Sequence, residues 1–361
     1  MALWPRPQGL ARVVGVLALV VGARGLVAVR PARGASALSA KVVVADGFTA
    51  TERVFADRRA AWAPAVRAGV DELVVFDRTA ARDAADVLAG ATVAVVNKVA
   101  ITADLLDELP DLELVCVTAT GVNNVDLGAC EERGVKVCNV PAYSTPSVAQ
   151  YVAACLLDSA VALPSQAAAV KGGAWAESKD FCAFPASTVE LAGKTFVAVG
   201  GRGAIGSAAA GIAEALGMDA RAVSCRGDGA GAMDRDLRAA DFVSLHVPLA
   251  EETADLVDRQ FLDKLKPGAV LVNSARGGLV DEAALLEALD DGRLRRAYLD
   301  VLKEEPPSLD SPSHRLTQHP AAVVTPHTAW ATNEARTRLV DVAVSNVRAF
   351  LDGKPLLTPV T

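Results

Sequence analysis

Three residues in the second half of the sequence could together hold a keto acid and move a proton. Arg276, Glu305 and His327 each follow an apolar segment of strand length. In a doubly wound sheet, ligands bind outside the carboxyl ends of the strands, so these side chains should gather at one crevice. Taken singly, each is more easily explained as a solvated charge or a turn residue. Taken together, they favour a functional site.

The residue types suggest one reaction. Arg276 offers a rigid fork of donors, which suits a carboxylate or the carbonyl of a 2-keto acid. His327 is the natural proton donor to that carbonyl oxygen as hydride reaches the carbon. A carboxylate bonded to the other ring nitrogen, from Glu305, would fix the tautomer and favour the charged imidazolium. The trio therefore predicts transfer of hydride between a nicotinamide dinucleotide and a small 2-keto or 2-hydroxy acid.

A G-x-G-x-x-G segment indicates where the dinucleotide would bind, because it lies between an apolar strand and a helix. The first glycine is expected to allow the tight turn and the second to let the backbone approach the pyrophosphate. The third would permit close packing of helix on strand, with the helix N-terminus facing the negative charge. The cofactor-binding residues predicted here are Gly201, Gly203, Ala204, Ile205 and Gly206.

The end of the next strand bears on the choice of cofactor. An Asp or Glu about 20 residues beyond the glycines normally binds the ribose 2′-hydroxyl of NAD. Here the strand ends with Ser224, Cys225 and Arg226. Ser224 and Arg226 could accommodate a 2′-phosphate, although Asp228 follows closely and Arg226 could be a solvated residue. The sequence therefore leans slightly to NADP(H) and leaves NAD(H) open.

The elements that must position these residues form two series of alternating strands and helices, which predicts an α/β fold with parallel sheets. A chain of 361 residues also exceeds what one core usually supports. A long helix at 147–170 marks the crossover, and a last helix at 333–351 could return to the first domain. We predict a dinucleotide-binding domain at 147–327 and a discontinuous substrate domain at 41–146 and 328–361. The segment 226–241 is too short for the usual strand and helix.

Composition excludes several classes of protein. The net charge of −7 gives no electrostatic footprint for nucleic acid. Six cysteines without a C-x-x-C pair indicate neither a zinc site nor a disulfide framework, so no metal is expected and the thiols should be mostly buried.

The N-terminal segment differs from the rest, since it carries five arginines and no acidic residue before Asp46. This composition predicts a targeting peptide at 1–40, for a plastid or mitochondrion. The apolar stretch at 13–21 is shorter than a membrane span requires, and the mature form is expected not to span a membrane. If the segment is a gene-model artefact, the protein would be cytoplasmic.

Longer motifs carry a resemblance to a known family. The segments 273–282, 300–307 and 325–327 look like signature segments of the D-isomer-specific 2-hydroxyacid dehydrogenases. The segments 97–99, 119–126 and 139–145, and Trp175 with Asp180 and Phe181, are similar to the glycerate dehydrogenase (hydroxypyruvate reductase) branch. The resemblance runs from about Lys41 to the C-terminus. It implies a flavodoxin-like substrate domain, a Rossmann domain that binds NAD(P), and an active site in the cleft between them.

The resemblance also implies roles for further residues. Backbone N–H groups near Thr120 and Gly121, with the loop at Val99, would hold the substrate carboxylate. Asp300 would meet the nicotinamide carboxamide, and a homodimer would form through the nucleotide domain. Trp330 resembles an aromatic residue of the glycerate branch, although plain interdomain packing explains it equally well. Other implied cofactor-site residues are Pro248 and Thr253 on the adenosine side, and Ser274 and Ala275.

The predicted activity is reduction of hydroxypyruvate or glyoxylate, or both, to D-glycerate or glycolate with NAD(P)H. Three alternatives remain: another D-2-hydroxyacid specificity, a dinucleotide-sensing corepressor-like binding protein, and a pseudoenzyme that no longer binds nucleotide.

Overall fold

A computed structural model gives the fold of the chain and describes residues 19–22, 25–28, 39–68, 70–225 and 230–361. In the N-terminal part, strand β1 (Leu19–Gly22) pairs antiparallel with β2 (Gly25–Ala28). The rest of the predicted targeting segment up to residue 38 lies outside the described residues, as do Arg226 and Asp228.

The first sheet has five parallel strands in the order β4-β3-β5-β6-β7. Its central strands β5 and β6 are buried along their whole length, which explains their unbroken apolar sequence. The strands are β3 (Lys41–Val44), β4 (Glu72–Val75), β5 (Val93–Val96), β6 (Leu114–Val117) and β7 (Lys136–Cys138). The helices among them are α1 (Phe48–Thr51), α2 (Arg58–Trp62), α3 (Ala84–Leu88), α4 (Ala103–Glu108) and α5 (Leu127–Glu132).

The second sheet has six parallel strands in the order β13-β12-β11-β10-β8-β9. The strands are β8 (Thr195–Val199), β9 (Asp219–Val223), β10 (Phe242–Leu245), β11 (Ala269–Asn273), β12 (Leu294–Leu299) and β13 (Ala322–Val324). The helices are α6 (Thr145–Val161), α7 (Leu163–Lys171), α8 (Ala204–Ala215), α9 (Ala230–Ala239), α10 (Arg259–Lys264), α11 (Glu282–Asp290) and α12 (Pro312–Gln318), followed by α13 (Asn333–Leu351). The predicted α/β fold with two parallel sheets is confirmed.

Two local predictions were wrong. The helix expected at 147–170 is two helices, α6 and α7, because Ala162 adopts a left-handed conformation with φ 52°. Pro164 then restarts the helix, where its missing N–H costs nothing. The segment 226–241 does contain a helix, α9, whose Leu237 is fully buried in the second core. Only the extra strand is missing from the described part of the sheet, where β9 forms the edge.

The chain crosses from one domain to the other twice. Helix α6 follows the first sheet in sequence but packs Val152 and Leu156 into the core of the second. Helix α13 follows the second sheet but packs Leu339 and Val347 into the core of the first. The hydroxyls of Ser147 and Thr332 are 2.7 Å apart, so the two passages lie side by side.

All six cysteines are free thiols, and four of them are buried, which agrees with the expectation that these thiols are mostly buried. Within the described part of the chain, no single helix has both the length and the apolar character to cross a membrane. Helices α6 and α7 have the required length and apolar character only when they are counted together, and they are bent by 52° relative to each other.

Candidate active site

His327 and Glu305 form a hydrogen-bonded pair at the edge of the second sheet. Nδ1 of His327 is 2.7 Å from Oε2 of Glu305, and Oε1 of Glu305 accepts the N–H of Leu302 at 2.9 Å. Burial alone would raise the pKa of Glu305, but His327, this N–H and the charge of Lys98 outweigh it and hold the pKa below its ordinary value. The carboxylate therefore stays charged at neutral pH, and Nε2 of His327 is the ring nitrogen left for a substrate.

The backbone of His327 is unusual, with a left-handed φ of 55°. Few non-glycine residues adopt this conformation, and it persists only where the surroundings impose it. Here the N–H of His327 donates to the carbonyls of Asp300 at 2.8 Å and Thr325 at 2.9 Å. The buried carboxylate of Asp300 accepts the Thr325 hydroxyl at 2.6 Å and the N–H groups of Thr328 and Ala329 at 2.9 and 2.8 Å.

Asp300 therefore supports the histidine loop in this structure. Burial raises the pKa of its carboxyl, and the hydrogen bonds only partly offset this effect. A carboxylate has about four acceptor positions, and three are used here, so one on Oδ2 remains. The expected contact between Asp300 and a nicotinamide carboxamide stays a prediction.

Arg276 follows β11 and reaches across to the first domain. Its Nη1 donates to the carbonyl of Ala275 at 2.7 Å. The side chain of Asn273 braces the segment, accepting from the N–H of Ala275 and donating to the carbonyl of Arg276. A Cβ on Gly121 would lie 2.8 Å from Nη2 of Arg276, so the guanidinium rests directly on that glycine. The site is thus built from both domains.

The first domain contributes a fixed loop and two available donors. The carboxylate of Asp46 accepts three consecutive N–H groups, from Asn97 at 2.6 Å, Lys98 at 2.5 Å and Val99 at 3.1 Å. The N–H of Val99 is therefore already engaged. By contrast, the N–H groups of Thr120 and Gly121 donate to no protein acceptor in the described residues and are available to a carboxylate.

The glycine loop is more constrained than its motif suggests. The tight turn is made by Gly200, not Gly201: Gly200 has φ 81°, and a Cβ there would lie 2.5 Å from the carbonyl oxygen of His246. A Cβ on Gly201 would meet Ala198, and one on Gly206 would lie 2.6 Å from Cα of Gly201, which allows close packing of α8.

The start of α8 fits an anionic group. Gly203 is the N-cap of this helix and makes no side-chain cap, and a Cβ on it would meet nothing closer than 3.5 Å. The adjacent N–H groups of Ala204 and Ile205 belong to the first turn, whose donors have no partner within a helix. Helix ends of this kind bind phosphate. The residues present therefore fit the pyrophosphate of a dinucleotide.

The remaining predicted cofactor residues differ in their surroundings. The buried Thr253 donates to the carbonyl of Pro248 at 2.8 Å and accepts the N–H of Ala250, so it braces its own loop. Two buried polar atoms here have no hydrogen-bond partner in the described part of the chain: the hydroxyl oxygen of Ser274 and Nε2 of His246. Burial lowers the pKa of His246 to about 4. Ser224, at the end of β9, is partly buried.

Sequence reasoning missed two aromatic residues and one acid. Tyr143 is buried, which raises its pKa to about 12, and its ring meets Trp330 edge-on with centroids 6.1 Å apart. Trp330 packs against the first core, so packing is sufficient to explain this residue. Asp46 follows the end of β3, so the strand-end argument used for Arg276 could have found it. Tyr151, inside α6, carried no such signal.

Gly277, next to Arg276, has no room for a side chain. A Cβ there would overlap the backbone of Leu302 and Lys303, on the way to Glu305. We expect Gly277→Ala to lower the free energy of unfolding by at least about 3 kcal/mol, the upper range for overpacking against a backbone that cannot yield. Urea denaturation would measure it. The matched control is Gly278→Ala, whose Cβ would meet only the flexible end of Leu249. Equal stability of the two variants would contradict the prediction.

Comparison with known proteins places this site in a family. Residues 153–329 match the model of the D-isomer specific 2-hydroxyacid dehydrogenase, NAD binding domain. A glycerate dehydrogenase from Methylorubrum extorquens is 42% identical over 269 residues, covering 74% of this chain and 85% of that one. A hydroxypyruvate reductase from Blautia hydrogenotrophica is 34% identical over 296 residues, covering 79% and 91%.

A solved structure adds a likeness of fold. It is the NADPH-dependent glyoxylate/hydroxypyruvate reductase from Sinorhizobium meliloti in complex with NADP and malonate, with a TM-score of 0.71 and 28% identity, covering 89% of this chain and 97% of that one. The chain therefore belongs to the D-isomer-specific 2-hydroxyacid dehydrogenase family, in its glycerate dehydrogenase and hydroxypyruvate reductase branch.

Proposed function

We propose that this dehydrogenase reduces hydroxypyruvate, and also glyoxylate, to D-glycerate and glycolate with NAD(P)H. The observation that carries the proposal is the 2.7 Å bond between Nδ1 of His327 and Oε2 of Glu305, which leaves Nε2 as the proton donor. The names of the relatives from Methylorubrum and Blautia support the substrate.

The residues divide the work as follows. Arg276 and the N–H groups of Thr120 and Gly121 bind the carboxylate of the keto acid from opposite domains. The reduced nicotinamide, when bound, supplies a hydride to C2. His327 gives its Nε2 proton to the carbonyl oxygen, so that the ketone becomes an alcohol. Glu305 stabilises the charged imidazolium before that transfer. Afterwards its hydrogen bond to Nδ1 keeps the neutral ring in a single tautomer.

The direct test uses the purified chain with hydroxypyruvate, glyoxylate and pyruvate, each with NADPH and NADH, and follows the absorbance of the reduced cofactor. We expect turnover to be fastest with hydroxypyruvate. Absence of turnover with every keto acid would contradict the proposal, and binding of cofactor without turnover would instead favour a dinucleotide-sensing protein.

For the cofactor we propose a slight preference for NADPH, supported by the sequence Ser224-Cys225-Arg226 at the end of β9. We expect Arg226→Asp to shift the ratio of kcat/KM for NADPH and NADH toward NADH by about tenfold or more, the loss of one hydrogen bond to a charged group. Arg238→Asp, an exposed position of α9, serves as the control. Equal losses with both cofactors would contradict the preference.

We propose further that the protein forms a homodimer through the second domain. Helix α7 and the loop after it expose large apolar side chains, with Trp175 at 52%, Phe181 at 91% and Phe184 at 90% of their surface. Trp175 and Phe181 also line a cavity of about 320 Å³. Apolar patches of this kind mark interaction surfaces.

Light scattering after gel filtration would test the dimer. The variant Phe181→Asp with Phe184→Asp should elute as a monomer, because a charge would be buried in the interface. Leu309→Asp, at an exposed apolar residue on a different loop, should remain a dimer. A monomeric wild-type protein would overturn the proposal.

A further inference from the structure

A directed chain of hydrogen bonds connects α6 to the loop of His327. The hydroxyls of Tyr151 and Thr325 are 2.9 Å apart, and the Thr325 hydroxyl donates to Oδ1 of Asp300 at 2.6 Å. A threonine hydroxyl has one hydrogen, and here the carboxylate takes it. Tyr151 must therefore donate to Thr325. Burial raises the pKa of Tyr151 well above its ordinary value, so this donor keeps its proton at any working pH.

The chain ends on the atoms that fix the backbone of His327. The Asp300 carboxylate accepts the N–H groups of Thr328 and Ala329, which follow the histidine. The carbonyls of Asp300 and Thr325 accept the N–H of His327 itself. The left-handed histidine is thus held on both sides through Asp300 and Thr325.

Helix α6 forms a second hydrogen bond to the same segment, through Ser147. Ser147 lies four residues before Tyr151, so the two side chains share one face of the helix. Ser147 bonds to Thr332 at 2.7 Å, and Tyr151 bonds to Thr325. Two hydroxyls one turn apart on α6 therefore bond to the two ends of the segment 325–332, which contains His327.

We propose that Tyr151 is a positioning residue for His327. Through Thr325 and Asp300, its hydroxyl maintains the strained backbone that directs the imidazole toward Glu305. The proposal rests on the role given to His327 above. It extends that role to α6, a helix that contains none of the residues assigned to substrate or proton transfer.

Kinetics of Tyr151→Phe provide the first test. Loss of one buried hydrogen bond should lower kcat for hydroxypyruvate reduction about three- to tenfold, while KM for the keto acid stays within about twofold because Arg276 is untouched. The matched control is Tyr298→Phe. Its hydroxyl donates at 2.7 Å to Asp158, also on α6 but far along the helix from this loop. The control should lose comparable stability and keep its kcat.

A spectroscopic readout separates this proposal from the reaction itself. The proton between His327 and Glu305 should give a downfield NMR resonance, assignable because the chain has only four histidines. The resonance should broaden or shift in Tyr151→Phe and persist in Tyr298→Phe, whether or not the wild-type protein reduces hydroxypyruvate. An unchanged kcat and resonance in Tyr151→Phe would overturn the proposal, as would equal effects in both variants.

A second pair of variants covers the case in which Tyr151→Phe does not fold. Thr325→Val breaks the chain at its middle and should reproduce the loss of kcat and of the resonance. Thr325→Ser keeps the hydroxyl and should restore both. If the serine variant behaves like the valine variant, the hydroxyl is not what positions His327.

Discussion

Replacing His327 by asparagine should lower kcat for keto-acid reduction by about 10²- to 10⁴-fold, the usual contribution of general acid catalysis. Asparagine is the informative substitution because it is one of the few non-glycine residues that tolerate positive φ well. The fold of the loop at φ 55° should therefore survive, and the loss can be assigned to the missing proton donor. Steady-state rates with saturating NADPH and hydroxypyruvate would measure the change. A rate within about threefold of wild type would remove His327 from the mechanism.

The variant Glu305→Gln is the companion to this experiment. In the wild type, the pKa of Glu305 is lower in the folded protein than in the unfolded chain. The ionised carboxylate of Glu305 therefore contributes stability that is fully present above its unfolded pKa, and this contribution is lost as the pH falls through the lowered pKa of the folded state. The wild-type rate should decline on that acid side, and Glu305→Gln should lack this part of the profile while turning over more slowly at neutral pH. If the rate of Glu305→Gln declined at acid pH as the wild-type rate does, a group other than Glu305 would be responsible for that decline.

Replacing Arg276 by lysine should reduce kcat/KM for the keto acid by at least about 10²-fold, mainly through a higher KM, because a point charge cannot reproduce a bidentate contact. The magnitude corresponds to two hydrogen bonds to a charged group. The cofactor KM should change little, since this side chain contacts Ala275 and Gly121, which lie outside the predicted pyrophosphate loop.

A second variant tests the same contact from the other domain. Gly121→Ala would place a methyl group 2.8 Å from Nη2 of Arg276 and displace the guanidinium. It should raise the KM for the keto acid in the same direction as Arg276→Lys. Unchanged KM values in both variants would show that the carboxylate binds elsewhere.

The sequence was sufficient wherever one strand determined the outcome. Apolar runs marked the strands, and the rule that ligands bind at strand ends placed Glu305 and His327 at one crevice, where the structure joins them. That Arg276 completes the site with them stays a prediction. The sequence could not indicate which glycine turns the chain, because Gly200 and Gly201 are the same residue type and are distinguished only by their backbone conformation and surroundings in the fold. It also failed at α9, because the segment 226–241 seemed too short to contain a helix. Pro164 was visible, but the Ala-rich segment around it keeps its helical spacing across the break.

Contacts between distant elements were beyond this reasoning. Asp46 bonds to a loop more than 50 residues away, and Tyr151 to Thr325 at a separation of 174 residues. Nothing in their own neighbourhoods predicts these partners, because each depends on how two separately formed layers come together.

The side-by-side passages at Ser147 and Thr332 have a mechanical consequence. Two chain connections that pass through one place leave rotation about that place as the easy motion of one domain against the other, a hinge. Because His327 is only five residues from Thr332, we expect it to lie close to this axis and to move little. Arg276 lies against Gly121 of the other domain, so we expect the same rotation to separate and rejoin them. Opening would admit cofactor and keto acid, and closing would complete the carboxylate clamp and expel water around a proton donor that is already in place.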